Sequence, residues 1–338
     1  MSFFRKGRRW MAGAAGNSTG ASNQGVTASM AESNNVNRTP TVQEEHVPLV
    51  GDDGPPPNYD GPSSELMEKL HELSHDEAIT DDSVRRKVKE AIEMAPTISV
   101  VAPVPRDMRD RAAQFRELID SIDTFLEEPL ERFDDMVLIR TEALRIQRAL
   151  AFGTRRGSQT HADLARFARN LALALHKKKE NDEACVLDEE ALAIRRECFK
   201  VRPGAERPYL AKVLHSYSIH LHAEERYKEA LAASEEAVQL QRLLYELDPD
   251  EAMDGLAMAL RDCGIRLSSV QRFEEAKATE EEGLVLWRLL YQKNPGKYRS
   301  LLDQALTNYI VSLKDLALVP EVKAARAERD EIRGVVAQ

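Results

Sequence analysis

The side chains best suited to chemistry in this 338-residue chain are His215, His220 and His222, with Glu224 and Glu225 close behind. Imidazoles and carboxylates together can hold zinc or move protons. The spacing argues against both. Helical ligands to one ion sit at i,i+3 or i,i+4, whereas His215 and His222 are seven apart and His220 is offset from each. The three cysteines, Cys185, Cys198 and Cys263, are odd in number and form no CxxC pair. That indicates neither a disulfide framework nor a zinc module and points to a reducing compartment. Cys263 reads as a small core residue. Asp81-Asp82 and Asp134-Asp135 could mimic paired catalytic acids, but neighbours on a helix point apart. No GxxxxGK[ST] loop, nucleophile elbow or HExxH motif occurs. The expectation is a protein without catalytic residues, metal or cofactor.

A recognition chemistry is easier to find. Pro56-Pro57-Asn58-Tyr59, preceded by Pro55, is a PPxY sequence. Consecutive prolines pre-form a polyproline II helix, and the tyrosine adds an aromatic contact. The motif resembles the ligand of WW domains, so Pro56, Pro57 and Tyr59 are candidate partner-binding residues.

The elements that must carry such sites follow from composition and pattern. Hydrophobic residues make up 42%, charged residues 31% and aromatics 6%, with a formal net charge of -10. A chain this acidic is not expected to bind nucleic acid generally. No apolar run reaches the length of a membrane span. The opening MSFFRKGRRWMAGAAG lacks the apolar core of a secretory signal. Its Arg5, Lys6, Arg8 and Arg9, with no acid before Glu32, fit a mitochondrial transit segment or a basic tail. Cytoplasmic location is the main expectation and the mitochondrion the alternative. Residues 1–62 are rich in Gly, Ser, Asn, Pro and Thr and are expected to be disordered. Residues 63–106 read as two short amphipathic helices and a proline-containing linker, since Leu66, Leu70, Leu73 and then Val84, Val88, Ile92 share helical faces.

From 107 to 338 the pattern is helical only, and it repeats. EACVLDEEALAIRR (183–196), EALAASEEAVQLQR (229–242) and EAKATEEEGLVLWR (275–288) align at a spacing of 46 without a gap. Pro203, Pro249 and Pro295 share that spacing. Each unit holds two amphipathic helices, about Asp163–Lys178 and Asp182–Phe199, Pro208–His222 and Tyr227–Leu247, Met253–Leu267 and Phe273–Lys293. The trailing proline is expected to end each second helix. Units are expected near 107–155, 161–206, 207–252, 253–298 and 299–338.

This pattern resembles the tetratricopeptide repeat (TPR) family, in a longer form like that of kinesin light chains and fungal repeat proteins. Small residues stand where helices cross closely: Ala172, Ser218 and Gly264; Ala184, Ala230 and Ala276; Ala191, Ala237 and Gly283. The resemblance implies an all-α, right-handed α-solenoid and a scaffold or adaptor that binds partner proteins. It also implies an inner face lined by first helices. The central row is then Leu173, Ile219, Ile265 and Val311. Beside it run Arg169, His215, Arg261 and Thr307; Arg166, Lys212, Met258 and Gln304; and His176, His222, Ser268 and Lys314. The acids Glu189, Glu190, Glu235, Glu236, Glu280, Glu281 and Glu282 fall on the second helices. A positive inner face would suit an acidic or phosphorylated peptide, because arginine pairs bidentately with both groups. Repeats that clamp chaperone tail carboxylates carry asparagine in the central row. This chain has aliphatic residues there, so that ligand is not expected. The alternative expectation is a regulatory or sensor subunit in which residues 63–100 pack against the repeats or oligomerise.

Overall fold

A computed structural model describes residues 59–77, 79, 81–98, 106–127 and 132–334; side chains are described only to 122 in the third helix. The chain divides into two units, 1–46 and 47–338, and all described residues lie in the second. Twelve α-helices, and no strand, occur among the described residues, packed consecutively as a solenoid.

The first pair is α1 (Ser64–His75) and α2 (Asp82–Met94), closed by a 3-10 turn at Ala95–Thr97. Ser63 and Asp81 cap the two helices with their side chains, satisfying first-turn amides. The apolar faces go inward: Leu66, Leu70, Leu73 and Val88 are fully buried, in one core with Phe115, Ile119 and Met136 of the next pair. These helices thus pack against the ones that follow, which is one of the two arrangements expected for residues 63–100.

Helices α3 (Arg106–Glu127) and α4 (Phe133–Ala151) follow, then the regular array: α5 (Gln159–Lys177), α6 (Asn181–Val201), α7 (Pro203–Ala223), α8 (Tyr227–Leu247), α9 (Pro249–Ser269), α10 (Phe273–Lys293), α11 (Pro295–Asp315) and α12 (Val319–Arg333). Helices α7 to α11 have 21 residues each. The prolines follow the ends of the second helices by two residues, as expected, but the first helices start earlier than the pattern suggested. Pro203, Pro249 and Pro295 begin the next first helices. A proline loses nothing at that position, where its missing N–H would have no intrahelical partner. One extended residue separates the helices: Arg202, Asp248 or Asn294, with φ of -138°, -144° and -148°. Asp248 and Asn294 also cap, accepting from the amides of Glu251 and Lys297.

The turn inside each repeat is equally regular. Lys179, Glu225, Gln271 and Ala317 adopt left-handed backbone, with φ of 66°, 58°, 63° and 56°. The next amide in each case reaches back to the last turn of the first helix: Glu180 to Leu175 O, Arg226 to Leu221 O, Arg272 to Leu267 O, Leu318 to Leu313 O, at 2.9–3.0 Å. This is a Schellman closure, normally built on glycine. Here four non-glycine residues take the strained conformation at the same register.

The small residues singled out in sequence are the close crossings. Ala172, Ala184, Ala191, Ala230 and Ala276 have zero exposure. The apolar core forms two clusters that meet at α8: Ala230, Ala233 and Ala237 join the first, Leu231 and Val238 the second.

Candidate peptide-binding face

First helices of adjacent repeats touch directly at α5–α7 and α9–α11. The expected groove would lie on these first helices. Leu173, Ile219 and Ile265 are half-buried along it, and Val311 is 48% exposed.

The flanking cations are less free than their sequence suggests. Arg169 donates Nε to Lys212 O at 3.2 Å, and burial pulls its pKa down from the usual arginine value. Arg166 pairs with Asp120 at 3.2 Å and stacks 4.3 Å from the Phe167 ring. Arg261 pairs with Asp262 at 3.0 Å and reaches Gln304 at 3.5 Å. His215 meets Asp262 at 3.2 Å, His176 meets Asn181 at 2.6 Å, and His222 meets Ser269 at 2.8 Å. Burial lowers the pKa of all three histidines. They are neutral at pH 7 and add no charge. Lys212 remains an exposed cation beside the half-exposed Tyr209 ring. Most of these bonds join one repeat to the next, so the residues are structural clamps as well as surface.

His220 is fully buried and sits 2.7 Å from the equally buried Asp188, which also accepts from Ser216 at 3.3 Å. The His176 ring lies 4.7 Å from that of His220. A serine, a histidine and an aspartate thus converge, but with no exposed face they cannot meet a substrate. The three cysteines are buried, and burial raises the thiols, Cys185 to about 12 and Cys263 to about 11. No cluster of three or more metal-ligating side chains, and no helix long and apolar enough to cross a membrane, occurs among the described residues.

The acids of the second helices are tied to neighbouring groups. Arg148, Arg196, Arg242 and Arg288 bridge to Glu190, Glu236, Glu282 and Glu328 at 2.5, 2.9, 2.6 and 2.7 Å, each in the following repeat. Tyr217 and Tyr309 donate to Glu189 and Glu281 at 2.7 Å. Arg272 reaches Glu235. Glu280 is not on the exterior at all: it is 4% exposed, and its Cγ lies 2.5 Å from where a Cβ on Gly264 would stand. Glu280 shares the 46-residue register of Asp188 and Ser234, which are buried too, whereas the other glutamates stand one and two positions further on.

The PPxY expectation also needs correction. Pro56, Pro57 and Asn58 lie outside the described residues. Tyr59 does not lie in a free tail. It is 1% exposed, its hydroxyl donates to Glu142 Oε1 at 2.6 Å, and Arg145 stands 5.4 Å from its ring. A WW ligand must present that ring, and here the fold covers it. The transit-segment expectation for residues 1–31 lies outside the described residues.

No protein-family model matches the chain, and no curated protein matches it. Solved structures do. BtubC (BKLC) from P. vanneervenii is 17% identical, with a TM-score of 0.55 over 80% of this chain and 92% of that one. A point-substituted form of the kinesin-light-chain nearly identical TPR-like repeats from Podosopora anserina is 15% identical, with a TM-score of 0.50 over 67% of this chain and 95% of that one. At these identities the likeness speaks for architecture alone, and together with the 46-residue geometry it assigns the chain the TPR-like repeat fold.

Proposed function

We propose that this chain is a protein–protein interaction scaffold that holds a partner segment along its first helices. The supporting observation is the row Leu173, Ile219, Ile265 and Val311, half-buried or exposed on four successive first helices, with cations beside it. A groove that is apolar at its centre and polar at its edge suits an extended or helical peptide. The cations of these rows with side chains open to solvent are Lys212, Lys314 and Arg166, with Arg169 behind them. An acidic or phosphorylated partner segment is the ligand chemistry this edge favours. No catalytic role is part of the reading, and the protein is taken to act in the cytoplasm.

The test is the full chain carrying Arg166→Glu and Lys212→Glu. Both side chains reach solvent, so the fold is expected to survive. Labelled acidic and phosphoserine peptides are titrated by fluorescence anisotropy, and partners are recovered for mass spectrometry. The reading expects binding to fall about tenfold or more and a subset of partners to disappear. Unchanged peptide binding together with an unchanged partner set would exclude this groove.

A further inference from the structure

A cleft of about 530 Å³ opens between α7, α8 and α9. Its walls include Ala211, Ala237, Leu244, Leu247 and Met258, with Lys212 at one side. Ligand-sized clefts in proteins span this volume. Three features accompany its opening at this junction.

The first is a missing side chain. Gly255 lines the cleft at the register held elsewhere by Asp163, Tyr209 and Leu301. The space a Cβ would take there is met by the flexible end of Gln241, at 2.9–3.2 Å. The second is packing. Helices α7 and α9 touch less than α5 with α7 or α9 with α11. Their polar ties, His215 to Asp262, Arg266 to Ser218 O and His222 to Ser269, lie in the later halves of the two helices. The early halves are left apart. The third is the core, whose two apolar clusters meet at α8 beside this gap. Leu247, at the mouth, is 72% exposed.

The charge around the mouth differs from that of the groove edge. Asp248, Glu251 and Asp254 line it. Asp248 is engaged in capping α9, and Asp254 faces Lys297 at 3.7 Å. Glu251 is exposed. His215, in the wall, is neutral at pH 7 because burial lowers its pKa. At the equivalent register, Arg166 and Lys212 are replaced by the uncharged Met258.

From this we infer that the α7–α8–α9 cleft is an anchor pocket for a partner segment that inserts a large apolar side chain and carries lysine or arginine beside it. The apolar walls take the anchor, and the exposed Glu251 takes the neighbouring cation. Methionine suits such a wall, since its unbranched chain adapts to the inserted group. The inference deepens the scaffold reading and rests on it for the claim that the ligand is a protein segment. It differs in naming an end of the ligand that is basic, not acidic.

Two sets of short fluorescein-labelled peptides test it, each with a central Leu, Met, Phe or Trp, one set flanked by Lys/Arg and the other by Asp/Glu. They are titrated by anisotropy against the full chain, against Ala252→Trp, which fills the cleft, and against Glu251→Lys, an exposed change that leaves packing intact. Circular dichroism checks folding. The expected result is binding of the basic set, weakened about tenfold or more by each variant and unaffected by Arg166→Glu. Preference for the acidic set, or binding that ignores Glu251→Lys, overturns the inference. Loss of acidic-peptide binding at Arg166→Glu and Lys212→Glu with no basic-set binding would retain the groove and reject the pocket. The reverse pattern would retain the pocket and reject the acidic ligand.

Discussion

Glu280 offers a measurement of how deeply the array buries an ionisable group. It lies on α10 at 4% exposure, over the glycine surface of α9, with Oε2 unpartnered and the Ser312 hydroxyl as its hydrogen-bond partner. Burial raises its pKa from 4.5 to about 7. The sign follows from the two end states. Below 4.5 the carboxyl is neutral whether the chain is folded or not. Between 4.5 and about 7 the unfolded chain loses the proton while the folded chain keeps it, so stability falls as pH rises. Above about 7 the loss is complete. At 1.36 kcal/mol per pH unit the total is roughly 3 kcal/mol. Glu280→Gln has no proton to lose. It is expected to match its parent near pH 4 and to exceed it by roughly 2–3 kcal/mol near pH 8. Other titrating groups are common to both chains and cancel in the difference. Repeat arrays need not unfold in one step, so the assay is hydrogen exchange across α9–α11, with urea midpoints by circular dichroism alongside. A difference between the two chains that stays constant across this range refutes the reasoning.

Gln271→Gly should stabilise the array by roughly 1 kcal/mol, seen as a higher urea midpoint, because it relieves the left-handed residue between α9 and α10. Glu206→Ala should cost roughly 3–5 kcal/mol, since it strands Arg195 in a pair whose side chains are 5% and 3% exposed. Glu236→Ala, which breaks an exposed pair with Arg196, should cost under about 1 kcal/mol; equal midpoints for the two would contradict the burial argument. Tyr59→Phe removes the hydroxyl donated to buried Glu142 and should cost roughly 1–3 kcal/mol, with faster exchange in α4. No change there would mean that residue 59 is not docked as described.

The repeat was legible in the sequence because it is a local pattern copied at fixed spacing. Alanine and proline registers survive translation by 46 residues and need no three-dimensional information. The helix starts were less legible. A proline both ends one helix and begins another, and only the backbone of Arg202, Asp248 and Asn294 shows that one residue suffices between them. The candidate face was half legible. Residue types along the inner rows could be read, but not that Arg169, Arg261 and His222 commit their polar atoms to partners 43 or 47 residues away. Tyr59 was misread for the same reason. Four adjacent residues made a persuasive motif, while the partner that removes its ring from solvent is Glu142, 83 positions on. The cleft was not read in the sequence, because it depends on the looser packing of α7 on α9, which only the fold shows.

The junctions between repeats carry a further consequence, for editing the chain. The backbone turns are interchangeable, so cutting out residues 203–248 would leave a chain whose helices still close in register. The side chains would object. Asp188 now faces Ser216 and His220, and the excision would set it against Asp262 and Arg266 instead. Two buried acids would then share a space built for an acid and a hydroxyl. Glu280 with Ser312 marks the α10–α11 junction in the same way. These two junctions thus bear different polar pairings, and a module moved from its place would meet neighbours it was not matched to.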